Sequence, residues 1–182
     1  MSGEQFLFSA ELICPEVQAT LPKPYSIRPL RRSDYSSGYL ETLSVLTEVG
    51  EISRKQFEER FDEMVRRKDT YYIVVIEDTT SKKVVATGTL TRFNFSSING
   101  ISKAAHLEDV AVAEECQKMG FGLQIHRARD FIVRQTSCYK GVLDCREYNV
   151  GFHEKAGYKR CGVYMKKRYD GVPVEAFLPA SS

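Results

Sequence analysis

The sequence predicts an α/β mixture of the α+β kind, with one mixed, largely antiparallel sheet flanked by helices. Three observations carry this expectation. Apolar runs of strand length and amphipathic segments follow one another in the order β-α-α-β-β-β-α-β-α-β. Two of the runs, residues 71–77 and 84–91, are separated only by the polar stretch 78–83, which makes them a hairpin. Residues 106–132 read as a strand, a glycine-containing turn and a helix in direct succession. At 182 residues, 42% hydrophobic and 27% charged, the chain has the material for one domain with a proper core.

Residues 1–24 hold Pro15 and Pro22 and show no clean period, so they read as an N-terminal extension, ordered in part at most, in which Phe6, Leu7 and Phe8 are able to dock. Residues 25–182 form the domain. Residues 25–30 alternate and make a first strand, at an edge because of Pro29. Ser33 is placed to cap a helix whose buried face is Tyr39, Leu43 and Leu46 and whose end is Gly50. Ser53 and Gln56 form a capping box for a second helix with Phe57, Phe61, Met64 and Val65 inward. After the hairpin, residues 92–103 are polar, and Asn99-Gly100 marks a turn into the central strand, residues 106–113. Phe121, Ile125, Ala128 and Ile132 stand at helical spacing, with Arg127, Arg129 and Asp130 between them. Residues 139–145 make a short strand, 149–156 a short helix stopped by Gly157, and 158–168 a last strand.

Composition narrows the function. A net charge of +2 gives no basic field for nucleic acid. The apolar runs are too short to span a bilayer, and residues 6–14 lack the basic flank of a signal peptide. Five cysteines without a Cys-x-x-Cys pair suit reduced thiols in a cytoplasmic protein rather than disulfides or a metal site.

Chemistry concentrates in residues 106–122. Glu108 and Asp109 interrupt an apolar strand, where a carboxylate is either a proton acceptor or half of a salt bridge. Neighbouring strand residues face opposite ways, so the two are not expected to share one task. The turn reads Gln117-Lys118-Met119-Gly120-Phe121-Gly122. Its glycines permit close approach and unusual dihedrals, and the first free amides of the following helix, with its dipole, favour an anion. It is neither a Walker loop nor the dinucleotide fingerprint. It does match Gln/Arg-x-x-Gly-x-Gly/Ala, through Gln117, Gly120 and Gly122, and so resembles the acyl-CoA loop of the GCN5-related N-acetyltransferases (GNAT).

The element order is also that of this superfamily. Over residues 25–169 the chain resembles the eukaryotic glucosamine-6-phosphate N-acetyltransferases, through residues 42–50, 85–88, 106–112, 138–145 and 149–157. Glu108-Asp109 and Cys138-Tyr139-Lys140 with Asp144-Cys145 are the more specific parts. The resemblance implies the GNAT acyl-CoA acyltransferase fold and acetyl transfer from acetyl-CoA to the 2-amino group of glucosamine 6-phosphate, without a metal. It also implies a homodimer in which both chains build each sugar site. Glu108 and Asp109 become candidates for deprotonating the amine, and the backbone of Val110, Ala111 and Val112 for holding the pantetheine arm. Gln117, Lys118, Met119, Gly120, Phe121, Gly122, Leu123 and Asn149 fall at CoA positions. Thr47, Glu108, Asp109, Tyr139, Lys140, Asp144 and Arg168 fall at sugar-site positions, with Arg168 as a phosphate ligand. Asn149 also reads as a helix cap, and Lys166 to Arg168 as a solvated run.

Three positions depart from the family pattern. Residues 96–99 read Ser-Ser-Ile-Asn where the family carries a Lys/Arg-x-x-His segment that contributes to phosphate binding. Lys118 and Met119 stand where a Gly and a polar residue are common. His153 replaces a Tyr beside the departing thiolate; an imidazole is able to donate to that sulfur, but it is shorter and differently aimed. These departures leave two further readings open: a GNAT acetyltransferase for another amine, and a catalytically weak CoA-binding paralogue acting as a dimer partner. His106 and His126 read as structural, with His126 partly exposed.

Overall fold

A computed structural model describes residues 5–46, 48–95 and 102–167. Five strands form one sheet in the order β1-β2-β3-β4-β5: β1 Tyr25–Pro29, β2 Tyr71–Asp78, β3 Lys83–Phe95, β4 Ser102–Val112 and β5 Cys138–Val142. The first four pair antiparallel, and β5 runs parallel to β4. The helices are α1 Pro15–Thr20, α2 Tyr39–Ser44, α3 Arg54–Arg66, α4 Phe121–Gln135 and α5 Val150–Lys155.

The sheet is covered on both faces, which explains why β2 is an unbroken apolar run rather than an alternating one. Tyr72, Val74 and Ile76 pack with Phe121, Ile125, Ala128 and Ile132 of α4. Ile73 and Val75 turn the other way, against Tyr39 of α2 and Phe57, Phe61 and Met64 of α3. The expected capping box at Ser53 and Gln56 is present. The helix expected from Ser33 is split into a 3-10 turn, Arg32–Ser36, and α2, with Gly38 at φ 84° between them. The cause is Asp34. It is buried, takes both terminal nitrogens of Arg28 at 2.8 Å, and accepts from the Arg31 amide at 2.7 Å. Glu77 takes Arg28 Nε at 2.9 Å, which completes a buried cation between two carboxylates. α2 then ends at Ser44, so Leu46 is half-exposed rather than part of the helix's buried face.

Residues 5–24 pack onto the domain. Leu7 is buried with α2 and α3, and Cys14, Val17 and Leu21 are buried with α4. Phe8 touches both clusters. The Leu7 amide donates to the Leu30 carbonyl at 2.9 Å, and Gln18 Oε1 takes the Ile27 amide at 2.9 Å, so this segment closes the edge that β1 would present. The strand expected over residues 158–168 does not form within its described part, residues 158–167. Residues 159–167 are exposed, and a strand needs a partner to take its hydrogen bonds. The expected turn at residues 96–101 lies outside the described residues.

Candidate active site

The site begins with an irregularity in β4. Thr87 pairs with Ala111 and Thr89 with Glu108, so Gly88 alone faces Asp109 and Val110. Two residues against one is a β-bulge, and Asp109 absorbs it at φ 54°. Gly88 is required by what lies beneath. A Cβ there would come within 2.3 Å of Ile125 Cγ2 and 3.3 Å of Arg129 Nη1.

Arg129 is fully buried under the bulge. Its Nη1 donates to the carbonyls of Glu108 at 2.9 Å and Thr89 at 3.0 Å. A bulge interrupts the ladder, and the guanidinium takes up two of the carbonyls beside this one. Burial lowers the Arg129 pKa to about 10, so it stays a cation at neutral pH. Its Nη2 lies 3.2 Å from His126 Nδ1, and His126 Nε2 lies 3.1 Å from His153 Nδ1. His126, expected to be partly exposed, is fully buried, and its pKa falls to about 3, first from burial and then from Arg129. His153 is half-buried, with its pKa lowered for the same two reasons in the same order.

β5 stays with β4 only from Lys103 to His106, after which the strands part. The Ala113 amide bonds to Val85 on β3, so by alternation the amides of Val110 and Val112 face the open side. A cleft of about 1210 Å³ fills the gap. Glu108, Asp109, Val110, Ala111 and Val112 line it, as do Gln117, Lys118, Gly120, Phe121, Gly122 and Leu123 from the turn and the start of α4. Asp144, Asn149 and His153 line the opposite wall. Met119 is exposed and lies off the cleft; so are Tyr139 and Lys140 on β5, where Lys140 Nζ sits 5.2 Å from the Tyr139 ring centroid. Thr47, Ser96, Asn99 and Arg168 lie outside the described residues.

The turn has the local geometry of an anion cradle. Lys118 and Gly120 are both left-handed, at φ 66° and 82°. Gly120 is the N-cap of α4 and no side chain caps the helix, so the first amides of α4 remain available. Gly122 serves packing instead: an added Cβ would meet the Phe152 ring of α5 at 2.9 Å. That close contact brings α5, and with it His153, against the start of α4.

Two carboxylates share a histidine in the cleft region. His106 Nδ1 is 2.6 Å from Glu108 Oε1, and its Nε2 is 3.1 Å from Asp144 Oδ1. His106 therefore does more than support the fold. It joins a carboxylate on β4 to one beyond β5. Two ionised carboxylates only accept, so both bonds exist together when the ring carries two protons. Asp109 stands apart from this trio. Burial, and next the Glu108 charge, raise its pKa, while Thr89 and Arg129 act against the rise.

The sequence reading also missed Arg129 and His126, although the signal was available. Arg129 stands four residues after Ile125 and three before Ile132, inside the buried stripe. Among the described residues no group of three or more His, Cys, Asp or Glu is placed to hold a metal, and no helix is long and apolar enough to cross a membrane.

Comparison with known proteins gives a consistent result. A family described as Acetyltransferase (GNAT) family matches residues 27–158. The chain is similar to the glucosamine 6-phosphate N-acetyltransferase of Candida albicans, 40% identical over 149 residues, which is 82% of this chain and 99% of that protein. It is similar to glucosamine 6-phosphate N-acetyltransferase 1 of Dictyostelium discoideum, 38% identical over 77% of this chain and 88% of the relative. Among solved structures, glucosamine-6-phosphate N-acetyltransferase from Arabidopsis thaliana superposes with a TM-score of 0.76 at 33% identity, covering 81% of this chain and all of that one.

Proposed function

The chain belongs to the GNAT acetyltransferases, and from that premise we propose that it transfers acetyl from acetyl-CoA to the 2-amino group of D-glucosamine 6-phosphate. The products are N-acetyl-D-glucosamine 6-phosphate and CoA, and the step lies on the route to UDP-N-acetylglucosamine. One observation carries the reading. The uncapped start of α4 at Gly120 and the carboxylate-bearing stretch of β4 open onto one cleft, where β4 leaves β5.

Each part of the cleft has a task in this reading. The amides of Phe121 and Gly122, with the α4 dipole, take the CoA phosphates, and Lys118 adds a cation beside them. Gln117, Leu123 and Asn149 line the same cleft, and Met119 reaches CoA only from outside it. The free edge of Val110, Ala111 and Val112 holds the pantetheine arm as a strand would, and one of these amides polarises the thioester carbonyl. CoA supplies an already activated thioester, so no covalent enzyme intermediate is needed.

The amine enters as an ammonium and must lose a proton. Glu108 and Asp144, bridged by His106, offer hydrogen-bonded carboxylates as acceptors for that proton. Asp109, with its raised pKa, is the second candidate base. His153 donates to the departing sulfur from the other wall.

Tyr139, Lys140 and Arg168 complete the sugar site by contact with a second copy of the chain. The half-exposed Tyr139 and the well-exposed Val163, Tyr164 and Met165 give that copy an apolar surface, which favours a homodimer. Five unpaired cysteines suit a cytoplasmic location.

Thiol release from acetyl-CoA by the purified protein tests the reading, with glucosamine 6-phosphate, glucosamine and glucose 6-phosphate offered in parallel. Release with glucosamine 6-phosphate alone is expected. Release with glucosamine as fast as with its phosphate would sink the named acceptor. Binding of acetyl-CoA without release would sink the catalytic reading.

A further inference from the structure

His126 is a buried titratable side chain that the acetyl-transfer scheme leaves unused. It is nevertheless hydrogen-bonded on both ring nitrogens. Its two partners differ in what they allow. The Arg129 guanidinium has donors only, so His126 Nδ1 must accept. A neutral imidazole with a bare Nδ1 carries its proton on Nε2. That N–H points to His153 Nδ1 at 3.1 Å, which must accept in turn. The proton of neutral His153 is thereby assigned to Nε2, the nitrogen across the ring from His126. His153 lines the cleft.

The surroundings hold the chain of bonds in place. The His126 ring centroid lies 5.3 Å from Phe152, 5.1 Å from His153 and 5.4 Å from Tyr158. Tyr158 is itself fixed by donating to Asp130 Oδ1 at 3.1 Å. At the far end, Arg129 is anchored by the carbonyls of Thr89 and Glu108. The direction of every hydrogen bond therefore follows from one buried cation that cannot accept.

We propose that Arg129 and His126 act as positioning residues that lock His153 as an Nε2–H donor facing the departing sulfur of CoA. This rests on the acetyltransferase reading and deepens it. A donor aimed at the sulfur stabilises the thiolate as the bond from sulfur to the acetyl carbon breaks. The electron pair of that bond stays on sulfur, and the new bond to the acetyl carbon comes from the acceptor's nitrogen. Left to itself, a neutral imidazole places its proton on either nitrogen, and the tautomer with Nδ1–H has a bare Nε2 that would face the thiolate's negative charge.

Two measurements test the proposal on the intact protein. The first needs no turnover: long-range ¹H–¹⁵N correlation of the imidazoles near neutral pH. His126 and His153 should both show a protonated Nε2 and a bare Nδ1. His126→Gln, whose amide accepts from Arg129 and donates to His153, should keep the His153 tautomer. His126→Phe should release it to a mixture. The second is thiol release with glucosamine 6-phosphate. kcat should fall about tenfold or more in His126→Phe, in the range where a lost proton donor is felt, and recover in His126→Gln, with both KM values near the parent's. A proton on Nδ1 of His153 in the parent, or an unchanged tautomer in His126→Phe, would overturn the chain of bonds. A tautomer released in His126→Phe with kcat unaffected would overturn the positioning role. Absence of acetyl transfer by the parent would count against the acetyltransferase reading and not against the chain of bonds, because the tautomer result stands without it.

Discussion

Replacing Arg129 with Met is expected to cost a large part of the protein's stability. The side chain is fully buried, and three acceptors depend on it: the carbonyls of Thr89 and Glu108 and Nδ1 of His126. Met fills most of the space and restores none of these bonds. A buried polar group left without its partner costs about 1–3 kcal/mol. Three of them set an upper figure of about 9 kcal/mol. Removing the buried cation gives back part of this, because desolvating an ion costs several kcal/mol and Nε of Arg129 has no partner among the described residues. The net loss is then about 3–5 kcal/mol, the range found when one member of a buried charged network is removed. For a chain of this size each kcal/mol moves the unfolding midpoint by about 2–4 °C, so Tm should fall by about 6–20 °C. Urea unfolding and a thermal melt followed by circular dichroism measure the loss directly. Arg129→Lys, which keeps a donor but not the fork, should fall between the two. A loss below about 1 kcal/mol would refute the reasoning, because it would mean that the bulge carbonyls find other donors without the guanidinium.

Other perturbations follow from the same geometry. Gly88→Ala places a methyl 2.3 Å from Ile125 Cγ2, an overpacking expected to cost about 1–3 kcal/mol; adding Ile125→Leu, which removes that methyl branch, should restore part of it in the same melt. Lys118 sits at φ 66°, which costs a residue with a Cβ roughly 1–2 kcal/mol. Lys118→Gly should therefore raise Tm, while its lost charge should raise the KM for acetyl-CoA and weaken the dependence of that KM on salt. His126 has a folded-state pKa near 3 against 6.5 for the free side chain, so the unfolded chain binds more protons between those values. Its contribution is complete above about pH 6.5 and lost as the pH falls toward 3. Arg129 and His153 face the ring, and both disfavour its protonation. The parent should thus lose stability to acid more steeply than His126→Gln, which equal slopes of Tm against pH would disprove.

The elements that announce themselves in the sequence are those whose cause is local. The Ser53–Gln56 capping box, the inward stripe of α3 and the apolar runs of β2 and β3 need only their own residues and a burial rule. The α4 stripe is similarly legible, but charge misleads at Arg129, which spacing places inside and composition places outside. The bulge at Asp109 was not legible at all. It depends on Gly88 from a neighbouring strand and on a guanidinium from a helix, and neither lies within fifteen residues of it in sequence. His106 was underread for a similar reason, since Asp144 reaches it only after the chain has built α4 and β5. The last strand expected over residues 158–168 does not form in its described part, residues 158–167, because strand formation needs a neighbour that the segment's own residues do not supply.

The first residues of the chain matter for anyone who shortens it. The family match begins at residue 27, which invites a cut just before β1. Such a cut removes Leu7, Cys14, Val17 and Leu21 from two separate core clusters and bares the edge that Gln18 closes. Its effect would travel further than the edge. Tyr25 follows the segment directly, stacks edge-on against Phe121 with ring centroids 4.7 Å apart, and places its hydroxyl 3.9 Å from Cys116 Sγ. Phe121 is the first residue of α4 and Cys116 immediately precedes the turn. Trimming or fusing at the N-terminus is therefore expected to adjust the end of the cleft formed by the turn and the start of α4, and activities compared between chains of different length would compare different pockets.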